Sequence, residues 1–210
     1  MTRLTPMVCL AKSYKHGGAC VAGKRWDGDR AGSWIRPVAN TDGGAIRPPS
    51  RLRVLDLVEV PLAGPVPQDH QVENHRLALG HPWRFRGRLG WNDLDALLDR
   101  PAPLWENGHH STCGRNDRVP PGAADDSLRL IRVPRFDLVI TDDGKLRGRF
   151  RYLDADYDLV VTDLWLSPLR HRPPAIHRLR DVVLCVSLGE IFQGYCYKLV
   201  AALLYPKRFA

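Results

Sequence analysis

Residues 9–20, CLAKSYKHGGAC, combine two thiols, two lysines, a histidine and a glycine pair. Gly17 and Gly18 let backbone approach a ligand closely, and Lys12, Lys15 and His16 bring charge and donors suited to a phosphate. The same residues also read as a glycine-rich hairpin turn with solvated lysines, and the sequence leaves both readings open. The spacing of a Walker motif or a dinucleotide fingerprint is absent. Cys9 and Cys20 lack the C-x-x-C spacing of zinc knuckles, so they read as core thiols on facing strands. His109, His110 and Cys113 form a second nominal ligand cluster that a polar loop explains equally well. No metal and no cofactor is expected.

Three further patterns point to anions and unpaired bases. In GSWIRPV, Trp34 and Arg36 alternate onto one face, where an indole and a guanidinium would suit a base and its phosphate. With Trp34 turned inward, the same strand would instead be core with Arg36 at its rim. In WRFRGRL, Arg84, Arg86 and Arg88 oppose Trp83 and Phe85; in LRGRFRY, Arg147, Arg149 and Arg151 oppose Leu146, Phe150 and Tyr152. Successive guanidinium groups on such a face lie about 6.6 Å apart, near a nucleic-acid phosphate repeat. A solvated sheet face is the alternative reading. Catalytic signatures are absent: there is no Gly-x-Ser-x-Gly elbow and no His-Glu-x-x-His pair, and the eight histidines do not fall at triad spacing.

The elements that must position these residues are mostly strands. PMVCLAKS, ACVAGKRW, SWIRPVA, LDLVEVPL and HRLALG are short, alternating runs divided by Gly, Asp, Asn and Pro. SLRLIRV, FDLVITD, KLRGRFRYL, YDLVVTDLWL, DVVLCVSLG and YCYKLVAALLY repeat the signal in the second half, with Asp142-Asp143-Gly144 as a hairpin turn. One helix is expected in WNDLDALLDR, with Leu94, Leu97 and Leu98 on one face, Asn92 or Asp93 as N-cap and Pro101 as stop. Pro101 to Asp126 has no period and reads as a long ordered loop. The expected organisation is mainly β: a first barrel over 1–90, a helix and linker loop over 91–126, and a second barrel over 127–210. An internal repeat is also suggested. Cys9 and Cys20 are eleven positions apart with Gly18 two before the second, and Cys185, Cys196 and Gly194 match that spacing.

At 210 residues and 44% apolar composition the chain can bury real cores. Its net charge of +8, carried largely by arginine, favours a polyanionic partner. The odd cysteine count of five argues against a disulfide framework, and no stretch suggests a membrane span or export signal, so a cytoplasmic location is expected.

LAKSYKHGGACVAGK, GSWIRPV, LDLVEVPL, HQVEN, NDRV and SLGEIFQGYCYKLVAALL together resemble the bacterial dual OB-containing domain family across nearly the whole chain. The resemblance implies two oligonucleotide/oligosaccharide-binding barrels, a nucleic-acid or nucleotide ligand, and association with prokaryotic conflict systems. It sets the characteristic residues at Lys15, His16, Gly17, Gly18, Trp34, Arg36, Asn74 and the Gly189–Tyr197 segment; Ile191 stands where a proline would be expected. The expected function is non-enzymatic nucleic-acid binding, with a sensor for a nucleotide or modified base as the alternative.

Overall fold

The computed structural model describes residues 3–15, 17–28 and 30–208; His16, a candidate phosphate donor, lies outside the described residues. The chain divides into two compact units, Met1–Leu97 and Leu98–Ala210.

In the first unit, β1 (Arg3–Lys15), β2 (Gly18–Trp26), β3 (Ala31–Val38), β4 (Asp56–Pro65) and β5 (Asn74–Leu77) form a closed barrel. The order is β1-β2-β3-β5-β4, with β4 returning to β1; all pairings are antiparallel except β3 with β5. Period-2 alternation sends Met7, Cys9, Val21, Ile35, Val58 and Val60 into one core. Closure needs curvature, and the β1–β2 ladder supplies it with a register shift between Cys9 and Ala11. At Gly23, opposite that kink, a Cβ would stand 2.0 Å from the Val8 carbonyl oxygen. The connection between β3 and β4 seals the barrel with Ile46 and Leu52, both in the core.

A sixth strand, β6 (Arg84–Arg88), adds to the edge of β4. Its pattern departs from the expected alternation: Phe85 is 64% exposed, because the strand lies outside the barrel and Arg86 is bulged between the Leu57–Gly87 and Val58–Phe85 pairs. Trp83, just before it, does pack on the core. The expected helix is present as a 3-10 helix, Trp91–Leu97, with Leu94 and Leu97 buried. Seven residues hold few turns, and Asp93 caps backward, accepting from the Gly90 N–H at 2.7 Å.

The second unit contains β7 (Arg118–Val119), β8 (Leu128–Ile140), β9 (Leu146–Tyr152), β10 (Ala155–Val161), β11 (Ala175–Phe192) and β12 (Tyr195–Leu204). SLRLIRV and FDLVITD are thus one strand, and DVVLCVSLG is the middle of a long one. Strands β8 to β12 pair as β1 to β5 do, including the parallel β10–β12 contact, and β11 closes on β8. The core stacks Phe136 on Phe150 (centroids 5.8 Å) and Phe150 on Tyr157 (5.1 Å). Gly148 leaves room for that stack, since a Cβ there would reach 2.4 Å from Phe136.

After β10 the chain leaves the expected strand at Val161 and forms a 3-10 helix, Leu164–His171, capped by the Asp163 carboxylate on the Trp165 N–H. Asp163 is buried; it also accepts from the Leu203 N–H at 2.9 Å and pairs with Arg208 at 2.6 Å. Among the described residues no helix is long and apolar enough to cross a membrane.

The expected cysteine repeat does not hold. Both segments are hairpins, but Cys9 and Cys20 lie on the first and second strands of their barrel, Cys185 and Cys196 on the fourth and fifth of theirs. Even within the hairpins the register differs. The positive-φ turn glycines are Gly17 and Gly194, whereas Gly18 is already paired with Lys15 in the ladder. Repetition in this chain is one of strand topology.

Candidate functional site

The glycine pair and lysines of the first turn are drawn into the barrel's own closure. Gly18 lies where a Cβ would be 2.7 Å from the Ile46 carbonyl oxygen, and Ala19 exchanges both backbone hydrogen bonds with Ile46 at 3.0 Å. The Lys12 ammonium donates to the Leu52 carbonyl (3.3 Å) and the Lys15 ammonium to the Gly43 carbonyl (2.5 Å). Both lysines therefore hold the β3–β4 connection, which lacks a helix to close its end. Gly17, at φ +83°, is exposed.

Trp34 is half-buried on the outer face of β3, with the Lys24 ammonium 5.2 Å above its ring; Lys24 also donates to the Leu97 carbonyl at 2.7 Å. Arg36 is buried beside Asn74, its partner in the parallel β3–β5 pairing, and donates to the Asn74 Oδ1 at 3.4 Å. Gln71 and Glu73 are buried next to it, and the Arg36 N–H donates to the Glu73 carbonyl. HQVEN thus seats an arginine inside a polar cluster.

The two arginine stripes face acids. Arg86 makes a two-point ion pair with Glu59 (2.8 and 2.9 Å), Arg88 pairs with buried Asp56, and Arg84 is exposed. On β9, Arg147 is buried and pairs with Asp158 at 2.6 Å, while Arg149 reaches the other oxygen of the same carboxylate at 2.9 Å. Arg151 lies 3.7 Å from Asp156 and donates to the Leu153 carbonyl. The facing strand, with its own alternating Asp156 and Asp158, matches these charges.

A different group of residues forms an aromatic and cationic surface on the second unit. Strand β7 pairs with the start of β12, so that Arg118 opposes Tyr197 and projects on its face. The guanidinium carbon stands 5.1 Å from the Tyr195 ring centroid and 5.4 Å from that of Tyr197. Phe192, 62% exposed, lies 6.2 Å from Tyr197, and His109 lies 6.0 Å from Tyr195. Arg118 forms no ion pair among the described residues, and its Nε has no hydrogen-bond partner there. The Gln193-Gly194 turn, with φ of +50° and +81°, joins β11 to β12 as a tight hairpin and puts Phe192 and Tyr195 at its tip.

Local chemistry explains why Arg118 is held there. In NDRV, Asn116 (φ +51°) accepts from the Gly108 N–H and donates to the Asp156 carbonyl. Asp117 accepts from the backbone and hydroxyl of Ser111, and Val119 enters the core. Only Arg118 of the four is not buried, lying half-exposed against the two tyrosine rings. From the opposite face of β12, buried Lys198 clamps the same loop, donating to the Glu106 carbonyl (2.8 Å) and the Asn107 Oδ1 (2.9 Å), with the Tyr157 ring at 5.3 Å. Burial pushes its ammonium down to about 7, against the pull of Asp117 and Glu106.

Sequence reasoning singled out the Gly189–Tyr197 segment through its resemblance but missed Arg118. The available signal was the i, i+2 pair Tyr195 and Tyr197 set against inward Cys196 and Lys198. The cross-strand partner in a two-residue strand has no period of its own. His109 reaches Glu106 at 2.8 Å, while His110 accepts from the Asn116 N–H and Cys113 is exposed.

A family model described as the dual OB-containing domain matches residues 5–203. No curated protein and no solved structure matches the chain.

Proposed function

The chain belongs to the dual OB-containing domain family, and from that premise we propose that it is a non-catalytic nucleic-acid-binding protein that takes an unpaired strand on the β11–β12 hairpin tip. Barrels of this fold bind oligonucleotides on the face of strands two and three and on the connections between strands one and two and strands four and five. The β11–β12 hairpin is the second barrel's four-to-five connection. Arg118 is the observation that carries the reading: it is stacked on two tyrosines and, among the described residues, unmatched by any carboxylate, whereas Arg86, Arg147 and Arg149 are ion-paired. A base on Phe192 or Tyr195 would contribute about 1–3 kcal/mol by stacking, with Arg118 beside its phosphate. In the first barrel the counterpart is the one-to-two connection, where Tyr14 is 57% exposed next to Lys15.

The test is fluorescence polarisation with labelled 15-nucleotide DNA and RNA strands. Phe192→Ala should weaken binding about tenfold, equivalent to about 1.4 kcal/mol. Binding that is absent, or indifferent to Phe192→Ala and Arg118→Ala together, sinks the proposal. Displacement of the strand by an equal concentration of free mononucleotide would favour the nucleotide-sensor reading instead. We also place the protein in the bacterial cytoplasm within a conflict system; a neighbouring nuclease, helicase or nucleotide-cyclase gene would support that.

A further inference from the structure

The second unit has an apolar cleft that nucleic-acid binding does not use. It measures about 370 Å³ and opens where the 3-10 helix Leu164–His171 passes the C-terminal part of β8 and the N-terminal part of β11. Leu138, Leu166, Leu169 and Leu179 form its walls, with Trp165 and Tyr205 at the edge. Trp165 is 52% exposed, yet its ring is fixed from two sides: the Arg208 guanidinium carbon lies 4.6 Å from its centroid and the Tyr205 ring 6.3 Å away, edge-on. Arg208 is in turn anchored by buried Asp163. The cleft is therefore preformed, and its size is that of an ordinary ligand site.

Its chemistry narrows the occupant. The walls offer few hydrogen-bonding groups, His177 and the Tyr205 hydroxyl among them, so the polar edge of a nucleobase would lose water there without replacement. Bulky apolar side chains lose nothing. The exposed cations beside the cleft are Arg170 in the last turn of the helix and Lys207 after Tyr205, with His171 and His177 exposed as further hydrogen-bonding groups; on the β8–β9 turn that abuts Arg170, Asp143 is ion-paired with Lys145 at 2.6 Å and Asp142 is exposed. Among the described residues of the helix, its cap and the C-terminal turn, Asp163 is the one carboxylate, and it is buried against Arg208; Asp137, next to Leu138, alternates to the other face of β8. We infer that this cleft docks an acidic protein segment, which inserts one or two bulky apolar side chains between the helix and the strands and sets flanking carboxylates against the basic lip.

The experiment is selection from a display library of random 12-residue peptides on the full chain, followed by fluorescence polarisation of the most enriched peptide. Enriched sequences should carry a Phe, Leu, Ile or Trp flanked by Asp or Glu. Trp165→Ala and His177→Glu should each weaken that peptide at least fivefold, while binding of a labelled 15-nucleotide strand stays unchanged. His177 is exposed at the lining of the cleft, so His177→Glu introduces a negative charge there while leaving the four leucines in place. Absence of enrichment, or peptides indifferent to both variants, overturns the inference. So does a Trp165→Ala variant that loses the oligonucleotide, which would give the cleft to nucleic acid. Concentration-dependent self-association abolished by Trp165→Ala would likewise overturn it, because the occupant would then be a second copy of this chain.

Discussion

Lys198 is buried in the second unit, its ammonium facing two oxygen acceptors and the ring of Tyr157. Its folded-state pKa of about 7 lies below the ordinary 10.5 because burial opposes the charge. Between those values the unfolded chain binds more protons than the folded one, so stability rises with pH across that window; below pH 7 both states are protonated and the penalty is constant. From pH 7 to pH 9 the gain should be about 2 kcal/mol. In the phenol range, buried Tyr157 and half-buried Tyr152 and Tyr205, whose phenols are pushed up by desolvation, oppose the trend: the unfolded tyrosines ionise first. Urea titrations at pH 7 and pH 9 should show the gain in the native chain and not in Lys198→Met. An equal gain in both proteins would remove Lys198 as its source. Sequence could not foretell this role, because an alternating strand that turns a lysine inward contradicts the pattern by which strands are read. Arg147 is a similar case. Its three-membered stripe was legible, but the carboxylate that neutralises it sits on another strand and becomes visible only with the β9–β10 register.

The strands themselves were legible, since their apolar alternation is local, but their boundaries were less so: Pro134 and Asp181, which read as breaks, lie inside β8 and β11. The helix at Trp91–Leu97 was legible as a helix but not as a 3-10 one, whereas Leu164–His171 was not legible: eight residues give too few turns for a helical period to separate from a strand end, and LWLSPLRH begins as YDLVVTDLWL finishes. Glycines mark where elements approach one another, and they divide into two kinds. Gly17 has a positive φ and open space at its missing side chain, so Gly17→Ala should cost about 1 kcal/mol through backbone strain alone. Gly23 has ordinary φ but a Cβ position 2.0 Å from the Val8 carbonyl oxygen and 2.8 Å from the Met7 Cγ. Gly23→Ala must push apart the two strands whose register shift curves the barrel, and should cost about 3 kcal/mol or more, in the manner of overpacked cores. Denaturant midpoints of the two variants give the comparison. A Gly23→Ala protein as stable as Gly17→Ala would mean that the β1–β2 kink is not held by that close approach.

At the scale of the molecule, two barrels of one topology were foreseeable from strand count and resemblance, whereas their closure was not. The parallel β3–β5 and β10–β12 contacts join strands about forty residues apart and depend on tertiary packing rather than on any local signal. Net charge was equally ambiguous: the value of +8 is read from the sequence, but how much of it is available to a polyanion depends on which arginines already have partners. This separates general attraction from a specific interface through the salt dependence of binding. Each phosphate neutralised on a single strand contributes about −0.7 to the slope of log affinity against log salt, so a strand held at three to five phosphates gives a slope of about −2 to −3.5. Arg118→Ala should make that slope shallower by about 0.7, because its charge has no carboxylate partner among the described residues. Arg149→Ala removes the same formal charge, but from a guanidinium already 2.9 Å from Asp158, and should leave the slope unchanged. Measured from 50 to 300 mM salt, equal changes in the two variants would mean that the strand senses only the overall positive field, and the hairpin tip would lose its claim to be the site.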